Sequence, residues 1–149
     1  MRMSFEDLPD DWEYHWLLDP TMTADVVDLF ARHSDRLANT LLLLLTDRRG
    51  RLIQPVAISD MRWGCEEEER ERAFDWLCHF SAPGTEEDEA IQGAVIAFCH
   101  RQPRIRASDL RWAETAQRRL GAMCIDLLGC YVAHSAGVRR IDLDEENVA

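Results

Sequence analysis

The chain of 149 residues contains no lysine. All 17 basic residues are arginine, which removes Schiff-base chemistry, a P-loop lysine and a lysine general base from the functions open to it. Positive charge is scarce altogether. With 28 acidic residues the formal net charge is −11, the wrong sign for general binding to nucleic acid, which needs a basic face. Long apolar runs are missing too: five leucines, Leu41 to Leu45, make the densest one, far short of a membrane span. The first residues, Met1 to Leu8, lack the basic and apolar regions of a secretory signal, so a cytoplasmic location is expected. Cysteine occurs at 65, 78, 99, 124 and 130 without CxxC spacing. Buried free thiols are therefore expected rather than a disulfide framework.

What remains is the composition of one globular domain, with 46% hydrophobic and 30% charged residues. An acidic, aromatic arm occupies residues 1–20, with Phe5, Trp12, Tyr14 and Trp16 set among Glu6, Asp7, Asp10, Asp11 and Glu13. A domain follows over residues 21–143, and residues 144–149 are an acidic tail. Val26, Phe30, His33 and Leu37 share a helical spacing and predict a first helix over about 22–37. Thr40 to Thr46 reads as a fully buried strand. Asp47 to Gly50 reads as a hairpin turn, and residues 51–59 as a returning strand that Pro55 confines to an edge or a bulge.

The spacing predicts a second helix over 65–80, its acidic run Glu66 to Glu69 placed where the helix dipole favours negative charge and its buried face made by Ala73, Phe74, Leu77 and Phe80. Thr85 to Asp88 has the residue types of a capping box for a further turn. The apolar run Ala94 to Cys99 predicts a strand buried on both faces. It stops at His100, and a loop containing Arg101, Arg104 and Arg106 leads into a helix starting near Ser108 or Asp109. That helix is expected to bury Leu110, Ala113, Ala116 or Gln117, and Leu120, and to stop at Gly121. Strands over 123–133 and 138–143, joined by a turn at His134 to Gly137, complete the order. Strand, polar loop and helix start is how α/β proteins build sites.

Four segments carry a family resemblance: the hairpin Leu43 to Ile53, the loop His100-Arg-Gln-Pro103, the helix start Arg106-Ala-Ser-Asp109, and Leu120-Gly-Ala-Met-Cys-Ile-Asp126. In type and order, over about residues 39–141, they resemble the JAB/MPN metalloprotease-like family, in particular its RadC-type bacterial branch. The resemblance implies a three-layer α/β/α domain with a mixed sheet of about five strands, a cytidine-deaminase-like or JAB-like class. It also implies a zinc centre in which two histidines and an aspartate hold the metal and an upstream glutamate acts as base on the bound water. Carried over, the first histidine is His100 and the aspartate is Asp109. The second histidine is replaced by Gln102, the serine position holds Arg106, and the glutamate position falls on Asn39.

The expectation is thus a non-catalytic module, without a cofactor, that binds a protein partner or itself. Arg101, Arg104, Arg106 and Arg111, with His100, Gln102 and Asp109, are candidates to receive an anion or an acidic segment at a helix start. Neutralisation of these arginines by the protein's own carboxylates is the rival reading. The alternative function is a zinc-dependent hydrolase through His100 and Asp109, with missing ligands from His33, His79 or His134. A thiol enzyme pairing Cys99 with His100 is disfavoured, because neighbours on a strand face opposite ways. Asp126 is expected to pair with an arginine.

Overall fold

Seven consecutive buried residues form β1, Thr40–Thr46, in the computed structural model, which describes residues 20–47, 49–79 and 91–142. Two helices precede it, α1 (Pro20–Phe30) and α2 (His33–Leu37). After it come β2 (Leu52–Ile58), α3 (Glu67–Asp75) with a 3-10 turn to His79, β3 (Gly93–Cys99), α4 (Ala107–Ala122), β4 (Asp126–His134) and β5 (Gly137–Arg140). The arm over 1–19, the capping-box segment, Phe80 and the tail lie outside the described residues. The fold is mixed α/β, and the described residues form four helices and one mixed sheet of five strands in the order β2-β1-β3-β4-β5. β3 and β4 are parallel; every other neighbouring pair is antiparallel.

Strand side chains alternate between faces, so an all-apolar strand needs cover on both sides. Leu41, Leu43 and Leu45 meet Ala94, Ile96 and Phe98 in a cluster that α3 and α4 close with Phe74, Trp112, Ala116 and Leu120. Leu42, Leu44, Val95, Ala97 and Cys99 face the other way, against Val26, Val27 and Ala31 of α1 and its end. At ~1.5–3 kcal/mol for each large aliphatic side chain buried, these two clusters dominate the stabilisation. Trp112 sits edge-on to Trp63 and donates its Nε1–H to the Trp63 carbonyl at 2.9 Å. β3 starts at a glycine because a Cβ on Gly93 would lie 2.5 Å from Thr46 Oγ1 and 3.2 Å from Leu128 Cδ1. Gly50 takes φ 79° in the hairpin turn, as the turn requires.

Several expectations change. The first helix is broken at Ala31–Arg32, where the Asp35 carboxylate accepts the Arg32 N–H at 3.1 Å and starts α2 afresh. Val26, Val27 and Ala31 are buried, whereas His33 is exposed and Leu37 is 45% exposed. α3 begins at Glu67. Its acidic run is not simply solvated: Arg118 of α4 binds Glu67 and Glu71, both at 2.9 Å, and Arg62 binds Glu69. α4 begins at Ala107 and runs through Gly121, and the left-handed residue after it is Cys124, φ 59°. β4 starts three residues later than expected, at Asp126, which is exposed and pairs with no arginine among the described residues. β5 ends at Arg140. Of the cysteines, all free, only Cys99 and Cys130 are buried.

Ile96 is wholly buried at the middle of β3, the central strand. Ile96→Asp is expected to cost several kcal/mol, on the order of the ~5–15 kcal/mol that holds such a domain together. Loss of a cooperative urea transition would show it, and a near-normal melting temperature would contradict it.

Candidate functional site

β3 and β4 run parallel and end side by side, and each apolar run ends at a histidine: Cys99 pairs with Ala133, and the His100 N–H donates to the Ala133 carbonyl at 3.0 Å. His100 and His134 therefore project on the same face, beneath the loop to α4. Both are buried, 1% and 4% exposed. Each imidazole Nδ1 accepts a backbone N–H from two residues on, Gln102 at 3.2 Å for His100 and Ala136 at 3.0 Å for His134. An Nδ1 that accepts leaves the neutral ring its proton on Nε2. The His100 Nε2–H donates to Asp109, 3.1 and 3.0 Å from its two oxygens. The His134 Nε2 is buried with no partner among the described residues.

Asp109 is wholly buried in the first turn of α4. Its Oδ2 accepts the Arg106 N–H at 2.8 Å, and the Arg106 guanidinium lies 3.4 Å from both oxygens. Burial raises the pKa of this carboxyl, but the hydrogen bonds from His100 and Arg106 more than reverse it and hold it below the ordinary carboxylate value. The His134 pKa is held below the ordinary histidine value by burial and by the neighbouring His100, Arg139 and Arg36. Arg36 fastens this corner from the other side, donating to the carbonyls of Ala31 and His134 at 2.9 and 3.0 Å and to Asp28 Oδ1 at 2.9 Å. The Ser135 hydroxyl donates to the Arg101 carbonyl at 3.2 Å, fixing the loop to the β4–β5 turn.

No family model, curated protein or solved structure matches the chain.

The site is built, then, from this geometry alone. Of the residues singled out from sequence, His100, Asp109 and Arg106 come together. Gln102 is exposed and contributes its backbone N–H. Arg101, Arg104 and Arg111 are exposed and form no ion pair among the described residues. Arg111 belongs with the loop because helical side chains lean toward the helix N-terminus. Arg106 differs from the other three, since its guanidinium is committed to Asp109. The amide that Arg106 brings to the helix start is likewise taken.

Asn39 lies next to Thr40, which pairs with Cys99, so the position expected to carry a glutamate does reach this end of the sheet. Its φ is 50°, a left-handed conformation that asparagine tolerates far better than most residues. His33 is exposed at the start of α2, and the side chain of His79 lies outside the described residues. Among the described residues no three His, Cys, Asp or Glu side chains form a metal-holding group. Cys99 packs against α1 on the face opposite His100, and burial pushes its thiol up to about 12, which removes the thiolate that nucleophilic chemistry needs.

From sequence His134 stands only as one of three possible displaced zinc ligands, with His33 and His79; its place beside His100 comes from the parallel register of β3 and β4. Its signal was present: two apolar runs, each stopped by a histidine.

Both shifted groups weaken the fold in acid. Each has a folded pKa below its unfolded value, so each contributes stability that is complete above the ordinary value and lost as pH falls. For His134 the loss begins below about 6.5 and for Asp109 below about 3.8. Urea unfolding across pH 7.5 to 3 should show both steps, and His134→Gln should flatten the upper one alone. A profile identical to wild type in that variant would contradict the assignment. Asp109→Ala strands two buried donors and is expected to cost ~2–4 kcal/mol at neutral pH in the same measurement.

Proposed function

We propose that the protein is a non-catalytic module of the three-layer JAB/MPN-like, cytidine-deaminase-like kind, working without a metal, whose 100–111 loop receives an acidic segment of a protein partner or of another copy of itself. One observation carries the reading. In a chain of net charge −11, the exposed Arg101, Arg104 and Arg111 at one sheet end have no carboxylate of the described residues paired to them. Uncompensated guanidinium groups suit carboxylate or phosphate, which they bind by charge-assisted and often bidentate hydrogen bonds.

The residues beneath the loop support the non-catalytic part. A zinc ligand must offer a free lone pair, and a catalytic site needs three protein donors and an open position. His100 spends Nδ1 on a backbone amide and Nε2 on Asp109. Asp109 is engaged by His100, the Arg106 amide and a guanidinium whose charge opposes a divalent cation. Gln102 is a neutral amide where the family has a histidine, and Asn39 has no carboxylate to take up a proton as a base. The donor set does not fit a zinc centre, and no reaction step is derived through one.

The order helix, hairpin, helix, strand, loop, helix and two strands supports the JAB-like assignment, because it is the order on which the resemblance rests. The net acidity supports a protein rather than a nucleic acid as partner.

Sulfate or a short polyglutamate peptide should raise the melting temperature more than chloride at matched ionic strength. The Arg101→Ala/Arg104→Ala/Arg111→Ala protein should lose that difference while melting normally in chloride, since the three side chains are exposed. Equal stabilisation of both proteins by sulfate would be the excluded-salt effect alone and would remove the site.

A further inference from the structure

A second surface, on the other face of the sheet and independent of the reading of the 100–111 loop, remains to be filled. Among the described residues, the helices α1 and α2 cover β1, β3 and β4 but leave the edge strand β2 beside them open. Register places Ala57 beside Leu42 and Pro55 beside Leu44, on the α1 face. Ala57 is exposed there and Pro55 half-buried. Between this edge and the end of α1 runs a groove of about 320 Å³, lined by Leu29, Phe30, Leu42, Pro55, Val56 and Ala57, with Asp35 beside them. Arg32 lies at its rim, its side chain 75% exposed.

We propose that this groove is the seat of the chain's own residues 12–16, docked in cis as an extended segment. The segment reads Trp12-Glu-Tyr-His-Trp16, with aromatics at alternate positions. That is the period of an extended strand, which turns Trp12, Tyr14 and Trp16 to one face and Glu13 and His15 to the other. Reach agrees with the pattern. α1 has 11 residues, about 16 Å at helical rise. An extended chain running back from Pro20 covers that length in about five residues. Trp16, Tyr14 and Trp12 then arrive at the end of α1 where Leu29 and Phe30 line the groove.

Charge agrees as well. Residues 1–19 carry six acidic side chains, Glu6, Asp7, Asp10, Asp11, Glu13 and Asp19, against Arg2 alone, and at the groove the exposed charge is Arg32, whose guanidinium lies 3.6 Å from the largely buried Asp35 and is shared with it. Aromatic rings bring large apolar area at low conformational cost, which is what a shallow edge groove needs from its occupant. The docked segment would also cover an edge strand that Pro55 alone guards against pairing with other chains.

The test uses the full chain in four forms: wild type, Ala57→Glu, Arg32→Glu and Trp12→Ala/Tyr14→Ala/Trp16→Ala. Each is exposed to a broad-specificity protease under native conditions, with arm loss followed by intact mass and oligomeric mass followed by light scattering. Cleavage of a docked segment tracks its open population, so the wild-type arm should persist in a monomer, and Ala57→Glu and the aromatic variant should each lose it at least ~10-fold faster. Combining the two should add nothing further. Arg32→Glu should accelerate loss to a smaller degree, with its melting temperature followed alongside because the new carboxylate faces Asp35.

A wild-type arm trimmed as fast as in the variants would overturn the docking. Protection unchanged by both Ala57→Glu and Arg32→Glu would overturn the groove as its seat. A dimer that Ala57→Glu converts to monomer would overturn docking in cis, the groove then holding the arm of a second copy.

Discussion

A strand buried on both faces has to end somewhere, and the first polar residue after it is carried into the interior with it. β3 ends at His100, 1% exposed, where a ring with two nitrogens must find two partners or cost the fold the full desolvation of each. Gln102 supplies one from the chain just beyond, and Asp109 supplies the other from the first turn of α4. Asp109 in turn is tolerated as a buried carboxylate because it accepts the Arg106 amide and faces the Arg106 guanidinium. The loop between His100 and Arg106 is thus closed at its base, and α4 is set on the sheet at the point where its crossover to β4 begins. The same clasp recurs at α2, where the Asp35 carboxylate accepts the Arg32 amide. The two helix starts read alike, Arg32-His-Ser-Asp35 and Arg106-Ala-Ser-Asp109.

This clasp gives the exposed arginines their significance. With Asp109 and Arg106 satisfied by each other and by His100, no charge beneath the loop draws Arg101, Arg104 or Arg111 inward. On α3, Glu67 and Glu71 are spent on Arg118, Asp75 on Arg119 and Glu69 on Arg62. Among the described residues, these carboxylates and the unpaired Arg101, Arg104 and Arg111 are thereby held apart, and the proposed binding of an acidic segment rests on that separation. The opposite face is treated differently. There two short helices stop before the β2 edge, and apolar surface rather than charge is left over.

The sheet was legible in the sequence because burial on both faces leaves an unmistakable run. Thr40–Thr46 was expected to the residue, and Ala94 to Cys99 within one, since no polar alternation competes there. The edge position of β2 followed from Pro55. Helices were less legible because their ends rest on polar contacts that periodicity does not encode. Val26, Phe30, His33 and Leu37 fit one helical face, yet Asp35 captures the Arg32 amide, and the chain turns before His33. Gly121 has the chemistry of a stop, but the backbone turns left-handed three residues later at Cys124. Trp112 was passed over for Leu110 because spacing alone cannot know that Trp63, nearly fifty residues earlier, would place a carbonyl for its indole. At the site, the meeting of His100 with Asp109 was anticipated by resemblance; His134 beside them required the parallel register of β3 and β4.

The proposed non-catalytic role requires His100 to be a hydrogen-bonded strut rather than a ligand. Its imidazole nitrogens are directly observable by long-range proton–nitrogen correlation at neutral pH, before and after addition of equimolar zinc. The geometry predicts a neutral ring with the proton on Nε2 and Nδ1 accepting, unchanged by the metal and perturbed only when Asp109 is replaced. Loss of the Nε2 proton on adding zinc, with that nitrogen moving to a metal-bound position, would contradict it and restore a catalytic reading of the loop.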